Sequence, residues 1–201
     1  MSELLEEITR SISRSSGLNQ LGRRVGTSEE NATGALSAAF PVLLEALTKN
    51  VSRPQEAESL KNAISRDHDG SMLDNLDDLI NNPDQGPGDG ILGHIFGSKR
   101  SRVESSMGKS FGLDSNTMSM ILKIAAPIIM GAIGRSLKSR GGIDSKSLTE
   151  MLNNDTNEMK RMEPGSMSAI EQMLDTDGDG DVDMEDIARS GLPKILGQFF
   201  K

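Results

Sequence analysis

Apolar residues along this chain fall at intervals of three and four, the spacing that gathers them on one side of an α-helix. Val42, Leu43, Ala46 and Leu47 form one such stripe, and Met167, Ile170, Met173 and Leu174 form another. Ile121, Leu122, Ile124, Ile128, Ile129 and Ile133 leave almost no polar side, which is the pattern of a helix at the centre of a core. Within that stretch Met118 to Gly134 is short for a membrane span and carries Lys123 and Pro127, so no span is expected. Its small residues, Ala125, Ala126, Gly131, Ala132 and Gly134, suit either a crowded core or a close helix from a second copy of the chain. The expected fold class is all-α.

The pattern occurs twice. Moving the sequence by 86 residues lays Leu21-Gly22-Arg23-Arg24-Val25-Gly26 on Met107-Gly108-Lys109-Ser110-Phe111-Gly112, and Ala39-Phe40-Pro41 on Ala125-Ala126-Pro127. After a small shift Ser59-Leu60 falls on Ser147-Leu148. In each copy a short helix is expected to end at Gly26 or Gly112, with Thr27 or Ser28 in one and Asp114 in the other starting the next. Pro41 and Pro127 then kink that helix or begin a new one. Two related helical hairpins follow, an internal repeat at 1–80 and 91–163, joined by 81–90, which reads as a linker from its Asn, Pro, Gly and Asp. Residues 164–201 form a separate tail in which Pro164-Gly165 ends what precedes and Ser166 caps a short helix. After Ile187 an exiting helix is interrupted by Gly191-Leu192-Pro193, and Ile195, Leu196, Phe199 and Phe200 make a last apolar turn.

Composition narrows the class of protein. Five Phe, no Tyr and no Trp make a lean core, and twelve Met take part of the aromatic role with softer packing. The absence of cysteine excludes disulfides, thiolate zinc sites and a cysteine nucleophile. An acidic, amphipathic start, Met-Ser-Glu-Leu-Leu-Glu-Glu-Ile, does not read as a secretory signal, and a cytoplasmic protein is expected. The formal charge of −8 is unevenly spread: 91–143 holds eight basic and two acidic residues, and 144–186 three basic and thirteen acidic. Lys99, Arg100 and Arg102 in the basic part fit either an anionic partner or the chain's own acidic tail.

The strongest chemical signal is Asp175-Thr-Asp-Gly-Asp-Gly-Asp-Val-Asp-Met-Glu-Asp186. A hard divalent ion takes oxygen ligands from positions 1, 3, 5, 7, 9 and 12 of a twelve-residue loop, with glycine at 6 for the reversal. Those positions are Asp175, Asp177, Asp179, the carbonyl of Asp181, Asp183 through water, and Asp186, with Gly180 at the turn. The loop resembles an EF-hand, and more narrowly the calcium loop of dockerin modules, because position 12 is aspartate. A dockerin carries two complete loops and this chain one, so the docking role of that family is not implied. Calcium is the expected ion, with magnesium as the alternative for the shorter Asp186.

Asp67-His68-Asp69-Gly70-Ser71-Met72-Leu73-Asp74-Asn75-Leu76, Ile91-Leu92-Gly93-His94-Ile95-Phe96-Gly97 and Ala126-Pro127-Ile128-Ile129-Met130-Gly131-Ala132 together resemble bacterial proteins of domain of unknown function 937, YidB-like proteins among them. The resemblance implies a helical fold with no established activity and carries over no catalytic residue. Asp67 to Leu76 also looks like a broken relative of the tail loop, with Ser65 and Leu76 where ligands are needed. It is expected to lack a metal, although Asp67 and Asp69 are the residues that would help hold one, and Asp74 is read as a helix cap.

His68 and His94 are the only side chains that titrate near neutrality unperturbed, and they would make a shared metal or proton site only if 81–90 brought them together. No phosphate loop, serine elbow, zinc pair or dinucleotide fingerprint is present, so an enzyme is not expected. The functional expectation is a calcium-binding protein with a structural or interaction role, its partner a second copy or another protein. The rival is a DNA- or anion-binding regulator using the rhythm of Leu21 to Glu30 and the basic 91–143 segment. Glu29 and Glu30 would press carboxylates on phosphates, so nucleic acid is the weaker reading.

Overall fold

A computed structural model describes residues 3–15, 17–162 and 164–174, and among them all regular structure is helical. Helix α1 is Glu3–Ser13, α2 Leu21–Val25, α3 Glu29–Val51, α4 Pro54–Asp67, α5 Leu76–Asn81, α6 Gly88–Phe96, α7 Arg100–Ser110, α8 Ser115–Ser139, α9 Ser145–Met162 and α10 Pro164–Leu174. Short 3-10 turns at Ser71–Asp74, Pro83–Gln85 and Gly97–Lys99 tie the middle helices together. One cluster of buried apolar side chains runs from Leu4 to Leu174.

Helix α8 is the axis of this core. Helices α1, α3, α4, α5, α6, α7 and α9 all pack on it. It is long and apolar enough to cross a membrane by length and composition, but 83% of its apolar window is covered by the other helices. Its small residues serve the chain's own packing. A Cβ at Gly134 would sit 2.0 Å from the carbonyl oxygen of His68, and Gly131 is covered by Leu73 and Met72.

Local rules explain the boundaries. Gly26 (φ 81°) and Gly112 (φ 64°) take the left-handed conformation that ends a helix at little steric cost. Ser28 accepts the N–H of Asn31 at 3.1 Å, and Asp114 those of Asn116 and Thr117 at 2.9 and 3.0 Å, so α3 and α8 begin on side-chain caps. Thr27 donates its N–H to Gly22 at 2.8 Å, and Leu113 donates to Gly108 at the same distance.

Pro41 and Pro127 neither start helices nor break them. Both are buried inside continuous helices, α3 and α8. A proline in a helix leaves the carbonyl four residues earlier without its usual donor, which here means Ser37 and Lys123. Gly88 sits on the second of these: a Cβ there would lie 2.2 Å from the Lys123 oxygen. The 81–90 stretch is therefore a packed corner. Pro83 is buried, and the Lys123 ammonium reaches Asp84 at 2.9 Å and Asp89 at 3.4 Å.

Candidate functional site

The predicted ligands Asp175, Asp177, Asp179, Asp181, Asp183 and Asp186 lie outside the described residues, as does everything after them. The helix leading into the loop is described. α10 begins at Pro164, two residues before the expected cap Ser166, because proline's fixed φ suits the first turn. Ser166 is buried, and Met167, Ile170 and Leu174 point into the core beside α3, α7 and α9.

The last turn of any helix leaves carbonyls without intrahelical donors. In α10 two of these are taken by lysines from the body. Lys49 Nζ donates to the Glu171 carbonyl at 3.4 Å and Lys99 Nζ to the Leu174 carbonyl at 2.7 Å. Cations at a helix C-terminus also oppose the negative end of its dipole. Lys160, on α9, pairs with the Glu171 carboxylate at 2.5 Å and lies 3.6 Å from the buried carboxylate of Glu45 on α3. The Glu171 contact, with a smaller contribution from Glu45, holds the Lys160 ammonium above its ordinary pKa. The C-terminal turn of α10, which ends just before Asp175, is thus fixed to three other helices or turns.

The second acidic segment, Asp67 to Leu76, has its carboxylates matched by the protein's own cations. Arg66 chelates Asp67, with Nη2 at 2.7 Å. Lys138 reaches Asp69 at 2.7 Å, and the Ser71 N–H donates to the same carboxylate, so Asp69 stays ionised well below the usual carboxylate range. Arg135 bridges Glu7 at 3.2 Å and Asp74 at 2.8 Å and also donates to the Gly70 carbonyl. Asp74 is therefore an ion-pair partner of α8 and not the cap of α5; that place belongs to Asn75, whose amide donates to Asp78 at 2.7 Å. Asp67 and Asp69 point to different cations, and no cluster of three or more metal-ligating side chains occurs among the described residues. Beside this knot a polar cleft of about 60 Å³ is lined by Ser11, Arg14, Ser15, Asp74 and Asp77, and Ser15 Oγ donates to Asp77 at 2.6 Å.

The two histidines occupy unlike places. His68 is buried at the end of α4, its Nδ1 has no partner, and desolvation pushes its pKa down against a weaker opposing pull from Asp67. His94 is exposed on α6. In the basic segment Arg100 is already engaged, with Asp89 at 2.8 Å and Glu104 at 2.7 Å. Lys99 binds Leu174, and Arg102 and Lys109 are exposed on α7 with no acidic partner among the described residues. Helix α3, the helix that follows Gly26, is buried from Ala35 to Leu47, so only its first turn and its last few residues face outward.

Sequence reasoning passed over Glu45, Arg135 and Lys49. Glu45 carried a signal, a carboxylate inside the apolar run Val42 to Leu47, where a buried charge requires a partner. The other two had none, because the contacts that give them a role lie 61 to 128 residues away along the chain.

Comparison with curated proteins gave no match, and comparison with solved structures gave none either. A family model described as bacterial protein of unknown function (DUF937) matches residues 6–136, from α1 to near the end of α8. That span holds the Asp67–Leu76 knot, the packed corner at 81–90 and the whole axis of the core up to Ser136, and by it the chain belongs to the DUF937 family of bacterial proteins.

Proposed function

We propose that the chain is a non-enzymatic divalent-metal-binding protein with a structural or protein-interaction role, its ion held by Asp175, Asp177, Asp179, the Asp181 carbonyl, Asp183 and Asp186. The donor chemistry supports this. Seven carboxylates in twelve residues with no basic residue among them repel one another until a cation is shared, and oxygen-only donors suit calcium or magnesium. The observation that carries the reading is the fixed end of α10: Leu174, the residue before the first ligand, is buried and its carbonyl is held by Lys99. A loop that starts from an immobilised residue loses less conformational entropy on closing around an ion.

The body that carries the loop is best read as two related helical hairpins at 1–80 and 91–163. The reasons are the matched cap geometry at Gly22 and Gly108, the caps at Ser28 and Asp114, and prolines at the thirteenth residue of both α3 and α8. One loop without a paired second loop predicts calcium affinity in the micromolar to millimolar range, a site for structure more than for signalling. Titration calorimetry of the whole chain tests the assignment. One calcium site per chain is expected, lost in Asp175→Ala and in Asp186→Ala; unchanged binding in both variants would overturn it.

A further inference from the structure

The polar cleft beside the Asp67–Leu76 knot is made by two segments of unlike charge. Arg14, just past the end of α1, comes from one, and Asp74 and Asp77 from the other. Arg14 is exposed and forms no ion pair with any described carboxylate, although two line the same cleft. A cation there opposes the dipole of α1, which accounts for Arg14 but not for the carboxylates across from it. Leu73 and Leu76, both buried, add an apolar part to the lining.

The two segments are pinned to one another. Ser15 Oγ donates to Asp77 at 2.6 Å and the Gly17 N–H donates to the same oxygen at 2.8 Å, while Arg135 of α8 holds one oxygen of Asp74 at 2.8 Å. The width of the cleft is thus set before anything enters, which lowers the ordering cost of binding. Charge and volume then define the occupant. Arg14 and Arg135 balance Asp74 and Asp77, so the site is neutral overall while its positive and negative groups stand apart. A lone cation would gain at the carboxylates and lose at the guanidiniums, and a lone anion the reverse. A molecule that carries both charges meets both needs. The volume of about 60 Å³ holds about four to six water-sized groups, which is the size of glycine or β-alanine.

We propose that this cleft binds a small aminocarboxylic acid, its carboxylate on Arg14 and its ammonium beside Asp74, with Asp77 adding its charge. The Arg14 guanidinium presents paired N–H donors in the plane that a carboxylate accepts. Asp74 is oriented by Arg135 yet keeps its side chain 69% exposed, so a second donor can approach it. The short carbon chain of the ligand lies on Leu73 and Leu76. The metal reading of 175–186 plays no part here, since every lining residue falls between 11 and 77.

Nuclear magnetic resonance on the isotope-labelled full chain, kept in chelator and titrated with glycine and with β-alanine, tests the assignment. Saturable shifts are expected at the backbone amides of 11–15 and 73–77. Acetate and methylamine, which carry one charge each, should bind at least about tenfold more weakly. Arg14→Gln removes a guanidinium that has no ion pair, so the fold should be intact, and it should weaken amino acid binding about tenfold. Arg102→Gln, at an exposed position on α7, should leave binding unchanged. The proposal is overturned by the absence of saturable shifts at these amides with both amino acids, or by acetate or methylamine binding as tightly. Full affinity in Arg14→Gln, or an equal loss in Arg102→Gln, overturns it as well.

Discussion

The chain has two segments built on Asp-x-Asp-Gly, and they differ in the basic residues that accompany them. At Asp67 to Leu76 the carboxylates are neutralised by Arg66, Arg135 and Lys138, two of them from the central helix α8. At Asp175 to Asp186 no basic residue stands in the segment, and seven carboxylates remain to be balanced from outside it. Similar residue spacing therefore does not mean similar chemistry. The first segment is a salt-bridged corner because the fold delivers cations to its carboxylates, whereas an ion cage, as proposed for 175–186, needs every ligand position filled. Ser65 and Leu76 stand where the first segment would need donors.

The largest effect is expected from breaking the seat of the first segment. Gly134→Val places a side chain where a Cβ alone would meet the His68 oxygen at 2.0 Å, and it should cost about 3 kcal/mol of stability by overpacking. Denaturant unfolding measures it, and calcium stoichiometry should be unaltered in the fraction that folds. A cost under 0.5 kcal/mol would mean that the corner is not braced on α8.

Calcium should act on the other segment alone. At a hundredfold excess over its dissociation constant the ion should add about 2.7 kcal/mol to the opening free energy of amides in the last turn of α10. Hydrogen exchange reads this. The gain should vanish in Asp175→Ala and persist in Asp69→Ala. Equal loss in both variants would erase the distinction between the segments.

A smaller change tests the cations themselves. Arg135→Met removes the partner of Glu7, Asp74 and the Gly70 carbonyl and should destabilise by about 2 kcal/mol, less than a fully buried network would lose because the guanidinium is 28% exposed. Even in the double variant Arg135→Met, Lys138→Met the calcium count should stay at one, since the missing donors at 65 and 76 are not restored. A second calcium site in that variant would show that cations alone had suppressed it.

The smallest effect is a pH dependence. Burial keeps His68 neutral in the folded chain below its unfolded pKa of 6.5, so between that value and the lower folded pKa the unfolded chain takes up a proton that the native one refuses. Stability is therefore full above pH 6.5 and falls as the pH drops through the window, by at most about 1.4 kcal/mol per pH unit for one proton. His68→Gln should flatten the slope by that amount. An unchanged slope would assign it to the carboxylates.

Much of the body was legible because its signals are local. Gly26, Gly112, Ser28 and Asp114 act on the next few residues, and the apolar run from Ile121 to Ile133 needs only its own period to be read as a core helix. Met167, Ile170 and Leu174 share the buried face that their spacing predicts. The packed corner at 81–90 was not legible, since Gly, Pro, Asn and Asp fit an open tether as well as a tight turn. The difference lies on Lys123, whose carbonyl and ammonium both meet that stretch, and its sequence distance hides it. Of the two readings of Pro41 and Pro127, a kink or a new start, the continuous helices exclude the second. The carbonyl that Pro127 strands, on Lys123, is the one Gly88 packs against, and Gly88 is 35 residues before Lys123. For the proposed ligands at 175–186 the signal was the spacing of the carboxylates, and the fixed end of α10 beside them was not legible, since Lys99 is 75 residues from Leu174.

The bond between Glu7 and Arg135 joins residues 128 apart, and it has a meaning in time as well as in energy. A ribosome adding about 5 to 20 residues per second needs roughly 6 to 25 s to make the stretch between them. For that interval α1 has been synthesised but the helix it packs on does not exist, and Leu4, Leu5, Ile8 and Ile12 have no surface to cover them. Helix α1 is thus made well before the surface it docks on, and its apolar stripe stays without that cover until α8 emerges.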